Sequence, residues 1–325
     1  MNDIISSIEI FPNELLIALF KYISPYDLYN TFFNLNSRFN SIIDSLQNLY
    51  VILEEDWDNN ERTIPFFSSH ISSLIIKHDE LIDFSYYSNI RSLKLSMPTA
   101  NQCNAIQPCL LPNLEHLYIS NLFFSDNSEQ LCRFIFSPSF SRLRTCHIDR
   151  MTINNDHPYS SLSLQQLTVT PCTWKSNMYK QLFKACPNLI YLRIIRLRKT
   201  LFELSLNFIR PHTSLRHLHI HFYSIENEWY NHINSLLSNV PNLENFTLII
   251  DQIEINMKFP LDLFAHLLTQ RAPYLINFKA KIPSNNFLSK KLDIIKRWHP
   301  LFINIQFRQC QHQNSKNYLV ISSER

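Results

Sequence analysis

Glycine is absent from all 325 residues, where ordinary usage is about 7%. The absence matters because glycine reaches positive φ without steric cost and lets backbone approach a ligand closely. P-loops, dinucleotide-binding G-x-G-x-x-G turns, kinase phosphate loops, nucleophile elbows and EF-hand loops all depend on it. None of them is present in standard form. Asparagine is the next residue to tolerate left-handed backbone, and its abundance predicts that it serves helix C-caps and turns here. Long apolar runs are also missing, since no stretch of about 18 residues could span a bilayer. The first residues carry no basic region with an apolar stretch behind it, so no secretory signal is expected. The seven cysteines form no C-x-x-C pair, and Cys103 and Cys109 stand apart from other ligands. That pattern argues against a structural zinc site. It favours reduced, buried thiols in a cytoplasmic or nuclear protein.

The net charge of +3 is unevenly spread. Residues 1–60 hold nine acidic and two basic side chains, whereas residues 61–325 hold eighteen acidic and twenty-eight basic. The two parts therefore carry net charges of −7 and +10, an asymmetry expected of two modules with different partners.

Residues 10–43 read as three short helices with tight punctuation. Pro12 suits a first helical turn, and Glu14 favours the helix dipole there. Leu15, Leu16, Leu19, Phe20 and Ile23 follow at helical spacing. Ser24, Pro25 and Asp27 form a variant capping box, with Ser24 as N-cap, Pro25 at N1 and Asp27 at N3. Leu28, Phe32 and Leu35 form the apolar stripe of the second helix. Asn36 or Ser37 caps the third, whose apolar positions are Phe39, Ile42, Ile43, Leu46 and Leu49. A piece this small cannot bury its own apolar surface, and a helical partner could cover it.

These residues resemble the F-box. The family pattern is matched in order by Phe11-Pro12-Asn13-Glu14-Leu15-Leu16, Leu19-Phe20, Ile23, Asp27-Leu28, Leu35 and Arg38-Phe39. Phe11 stands where leucine is usual, and Phe39 where tryptophan is common. The resemblance implies docking to a Skp1-like adaptor, and through it to a cullin-RING ubiquitin ligase. Phe11, Pro12, Leu15, Leu16, Leu19 and Leu28 match the positions that face the adaptor.

The rest of the chain repeats L-x-x-L-x-I/L, often introduced by Pro-Asn. Copies begin at Ile71, Ile90, Leu114, Leu143, Leu164, Leu189, Leu215, Leu243 and Leu275, with a degenerate copy at Ile303–Phe307. Starts are 19 to 32 residues apart, mostly within the leucine-rich-repeat range. Amphipathic helical patterns lie between them over Glu129–Phe136, Met178–Ala185, Trp229–Val240, Leu261–Gln270 and Lys290–Trp298. The array resembles the leucine-rich repeats of F-box/LRR proteins. The Asn or Cys that usually follows the motif is missing except at Cys172, so the side-chain ladder of such repeats is expected to be weak. The expected fold is therefore α/β: an N-terminal three-helix F-box over residues 1–48, a connector over 49–70, and an irregular leucine-rich-repeat solenoid over 71–325. Its parallel sheet would lie on the concave side, and Tyr318–Ser322 would add a further strand or a cap.

Side chains alternate along a strand. The residues between the buried motif positions therefore point outward on the concave face. They include Ser73, Lys77, Lys94, Tyr118, His147, Asp149, Arg193, His217, His219, His221, Lys279, Lys281 and Arg308, with Asp149 as the only carboxylate. Tyr118, His147, Arg193, His217, His219, His221, Lys279 and Lys281 are the candidate client contacts. The face would suit an acidic or phosphorylated segment. Arg193, Arg196, Arg198 and Lys199 make the densest basic cluster. The three histidines lack further ligands nearby, so no metal is expected, and no cofactor. No catalytic constellation is defined.

The functional expectation is a non-catalytic substrate-recognition adaptor of an SCF-type ubiquitin ligase. The alternatives are a non-degradative F-box scaffold, or a basic solenoid that binds nucleic acid. Scattered cations and the absence of a recognisable nucleic-acid fold weigh against the last. No membrane partner is expected.

Overall fold

A computed structural model describes residues 7–54, 63–77, 79, 81–121, 128–151, 160–171, 178–197, 211–225, 229–253, 261–283, 306–311 and 317–323. The chain divides into two compact units, Met1–Phe123 and Phe124–Arg325. Each is mixed α/β.

The first unit opens with a 3-10 turn at Ser7–Ile10 and helices α1 (Asn13–Phe20), α2 (Pro25–Phe32) and α3 (Ser37–Ser45). The expected caps are in place. Ser24 Oγ accepts from the Asp27 N–H at 3.1 Å and donates to the Asp27 carboxylate at 2.7 Å. Asn36 Oδ1 accepts from the Phe39 N–H at 2.9 Å. Pro12 sits one residue earlier than expected, at the N-cap of α1, where its carbonyl accepts from Leu15 and Leu16. Leu16, Phe20, Leu28, Phe39, Ile42 and Ile43 fill the small core between these helices. Helix three ends before Leu46 and Leu49. Asn48 turns the chain at φ 60°, and Leu49 opens strand β1 (Leu49–Leu53).

That strand lies inside the expected connector. It pairs in parallel with β2 (Ile71–Ile76), and β3 (Ser92–Ser96) and β4 (His116–Ser120) follow in sequence order. Its alternating burial is the period-2 signal of a strand. The rest of the connector is not inert either. Helix α4 (Thr63–Phe67) packs on α2, with Phe66 against both Tyr29 and Phe33 at ring separations of 5.5 and 4.6 Å. Aromatic contacts thus tie α2 to the helix that precedes β2. Helix α5 (Ala100–Ala105) was not anticipated, although Thr99 and Gln102 form a reciprocal capping box there.

The second unit comprises α6 (Ser128–Ile135), β5 (Thr145–Met151), β6 (Gln166–Pro171), α7 (Met178–Ala185), β7 (Tyr191–Leu197), β8 (His217–Ile225) and α8 (Trp229–Ser238). It continues with β9 (Asn245–Ile253), α9 (Leu261–Arg271), β10 (Asn277–Pro283), β11 (Gln306–Gln311) and β12 (Asn317–Ser323). Strands β5 to β10 run parallel in sequence order. The last copy departs from expectation. β12 lies antiparallel between β10 and β11, so β11 is neither parallel nor next in order. Only five residues separate β11 from β12, too few for a parallel crossover but enough for an antiparallel return. The expected strand over Tyr318–Ser322 is present as β12. The helical pattern over Lys290–Trp298 and the site of Cys172 fall outside the described residues.

In every complete copy the first, fourth and sixth positions are buried, as in Leu189, Leu192 and Ile194 or Leu243, Phe246 and Leu248. A side-chain bond at a different position from the usual one joins four of the repeats to the repeat before them. It comes from the asparagine just before the motif. Asn89, Asn113, Asn188 and Asn242 each donate Nδ2 to a carbonyl of the preceding unit, those of Ser69, Ser88, Leu162 and Thr213, at 2.6, 3.0, 2.8 and 2.9 Å. Each acceptor lies two residues before its own motif, so the bond repeats at one register. Alanine at Asn188 or Asn242 should lower the stability of the second unit by ~1 kcal/mol, the usual net value of such a bond. Equal denaturation midpoints for wild type and both variants would show the ladder to be energetically silent.

Positive φ among the described residues falls on Asn34, Asn48, Met97 and Asn121. Asparagine thus replaces glycine at three of these four turns. Five described cysteines are free thiols, with Cys103, Cys132, Cys146 and Cys186 buried and Cys109 exposed. Burial pushes the Cys103 thiol up to about 11 and the Cys146 thiol well above its ordinary range, so neither is a nucleophile at neutral pH. No described helix is long and apolar enough to cross a membrane.

Candidate functional site

Two surfaces gather the candidate residues. The first is the outer side of α1. Phe11, Leu15, Leu19 and Tyr22 recur at steps of four, four and three residues and are 41%, 51%, 47% and 91% exposed. Ile10 and Leu35 add exposures of 75% and 57%. Leu35 lies in the turn after α2, not on its buried stripe. Large apolar side chains concentrated on one small surface are what an interface leaves in the free protein. Pro12 is exposed beside them. Leu16 and Leu28 are not part of this surface. Both are fully buried in the small core of the helical head.

Arg38 fixes the segment that leads into α1. Its guanidinium donates to the Asn13 side chain at 2.8 Å, to the Glu9 carbonyl at 2.6 Å and to the Phe11 carbonyl. Asn36 Nδ2 adds a bond to the Glu9 carboxylate at 2.8 Å. The start of α3 therefore clamps the backbone of Phe11 and keeps its ring on the outer surface. The Arg38-Phe39 pair reads in sequence as part of a pattern. In the fold, Arg38 is the brace and Phe39 the core contact.

The second surface is the outward face of the strands. Tyr118 belongs to the first unit, where Lys94 stands over its ring at 4.9 Å. His147, Arg193, His217, His219, His221, Lys279 and Lys281 belong to the second. Strand register sets His147, Thr168, Arg193, His219, Thr247 and Lys279 in one row across β5 to β10. The row on one side carries Tyr191 and His217, whose rings are 6.2 Å apart. The row on the other carries Asp149, Thr170, His221 and Lys281.

The charge pattern differs from the expected one in two respects. Asp149 is not the only carboxylate, because β9 runs on to Ile253 and brings Asp251 onto the face, 2.8 Å from His221 Nε2. Asp149 itself lies 3.3 Å from His147 Nε2 and accepts from Thr170 Oγ1 at 2.8 Å. The second difference is His219. Burial, then Arg193 and His221 beside it, lower its pKa to about 4, so it adds no positive charge at neutral pH. Arg198 and Lys199 of the basic cluster lie outside the described residues, as do the side chains of Arg196 and Arg308. Among the described residues no group of three or more His, Cys, Asp or Glu side chains is placed to hold a metal ion.

The chain matches no protein-family model and no curated protein. The functional reading therefore rests on the residues themselves.

Proposed function

We propose that this chain is a substrate-recognition adaptor. Its helical head docks a Skp1-like subunit of a cullin-RING ubiquitin ligase, and its strand face holds a client protein. The observation that carries the reading is the exposed apolar side of α1, clamped in place by Arg38, at the positions where the sequence resembles an F-box. Burying a leucine or phenylalanine side chain is worth about 1.5–3 kcal/mol. Three half-exposed side chains and Tyr22 therefore supply several kcal/mol to a partner with a complementary groove. The work of such a subunit is proximity: it raises the effective concentration of a client lysine near the ubiquitin-charged enzyme. It needs no nucleophile, base or cofactor of its own.

The test is reconstitution. The full chain mixed with a purified Skp1-like adaptor should elute as a 1:1 complex and recruit the cullin in a second step. Separate elution of the two proteins at micromolar concentration would remove the reading. Client turnover that persists when the ligase is inhibited would favour a scaffold without a degradative role.

A further inference from the structure

The outward face of the second unit has a cationic centre surrounded by uncharged polar groups. Thr168, Arg193, His219 and Thr247 stand side by side on β6 to β9. Adjacent strands are about 4.8 Å apart, so an anion held by Arg193 can also reach a hydroxyl on a neighbouring strand or an imidazole beside it. Arg193 is exposed, and it enters no ion pair among the described residues. His219 stays neutral at physiological pH, so the charge of this centre is that of Arg193.

The nearest carboxylates do not cancel it. Asp149 sits two strands and two residues from Arg193, and Asp251 two strands and four residues. Strand geometry makes those separations about 12 and 16 Å, beyond the ~8 Å screening length of physiological salt. Both carboxylates also have local partners in His147, Thr170 and His221. They do matter to what can lie on the face. With a carboxylate on either side of Arg193, and Lys279 and Lys281 three strands away on β10, the face suits a single anionic group at Arg193 better than a continuous polyanion, whose affinity needs several cations in a run.

We infer that this face, centred on Arg193, recognises a peptide segment carrying an isolated carboxylate or phosphate side chain. Under the adaptor reading, that segment is the client's docking motif. The guanidinium offers a bidentate fork to either anion, and the neighbouring strands offer the Thr168 hydroxyl and the His219 imidazole to the remaining oxygens.

The experiment uses the full chain without any adaptor. Three degenerate peptide pools are passed over it, with the central position fixed as Glu, phosphoserine or Gln. The Glu or phosphoserine pool, or both, should be retained about tenfold over the Gln pool, the scale of a charge-assisted hydrogen bond. Their ratio tells which anion the client carries. Arg193→Gln should abolish the preference with an unchanged melting temperature, because the side chain is exposed. Equal retention of all three pools overturns the inference. So does an unchanged preference in Arg193→Gln, or displacement of the anionic pools by a short single-stranded oligonucleotide. No adaptor is present, so failure here leaves the docking reading intact, and failure of docking leaves this result intact.

Discussion

Replacing Leu15 and Leu19 together by aspartate should reduce affinity for a Skp1-like adaptor by more than ~100-fold, while the protein melts at its original temperature. Both side chains are about half exposed on α1, so the free protein loses little when they change. In the complex the loss is large. Two leucines forfeit on the order of 1 kcal/mol each of apolar burial. Each new carboxylate must also be stripped of water inside an apolar contact without a partner, which costs several kcal/mol per ion. A deficit above ~3 kcal/mol corresponds to more than ~100-fold in dissociation constant. Leu28→Asp is the contrasting variant. Leu28 is fully buried, so a carboxylate there should unfold the helical head and abolish binding indirectly. Co-elution and thermal melting, measured on both variants, separate the two causes. Capture of the adaptor by the Leu15/Leu19 variant at wild-type affinity would show that α1 is not the docking side.

Which leucines face outward was only half legible in the sequence. The resemblance to the F-box groups Phe11, Leu15 and Leu19 with Leu16 and Leu28 and treats the five alike. Helix geometry does not: Leu16 and Phe20 turn into the core, where Phe20 meets Phe39, whereas Leu15 and Leu19 turn away. The caps at Ser24 and Asn36 were readable because a cap is local chemistry, a side chain meeting an N–H three residues on. Strand positions in the repeats were readable because burial follows the L-x-x-L-x-I spacing. β1 was missed because it sits directly after a helix: Leu49 continues the apolar spacing of α3, and residues 50–53 fall within the expected connector. The antiparallel end was missed for a different reason. The degenerate copy resembles a repeat, but the short connection to β12 fixes the direction of pairing, and that is a property of loop length. The asparagine ladder was visible as a recurring Pro-Asn, yet its role appears only when the acceptor carbonyl one unit away is known. On the strand face, Asp251 escaped notice because β9 extends past its motif.

Acid should destabilise the second unit more steeply than its surface charge suggests, and His232 should carry much of the effect. His232 on α8 is buried, with Nε2 2.9 Å from the Tyr179 hydroxyl on α7. Burial lowers its pKa from 6.5 to about 3. His219 is lowered to about 4, and burial also lowers His212, whose Nε2 lies 2.9 Å from the Cys186 carbonyl. The sign follows from proton uptake. As pH falls through 6.5 the unfolded chain takes up protons at these histidines and the folded chain does not. The stabilisation is therefore complete above about pH 6.5 and is lost progressively toward the folded-state values. At pH 5, His232 alone forfeits about 2 kcal/mol, from 1.36 kcal/mol per unit of pKa difference. His219 adds less, because water reaches part of the ring. A total of ~3 kcal/mol should lower the melting temperature by roughly 5–10 °C between pH 7.5 and pH 5 in a unit of this size. His232→Gln keeps a polar group near the Tyr179 hydroxyl but cannot titrate. It should melt lower than wild type at pH 7.5 and show about one third of the wild-type drop on acidification. An identical drop in wild type and variant would place the acid sensitivity elsewhere. Imidazole resonances of His232 that titrate near pH 6.5 in the folded protein would remove the argument at its root.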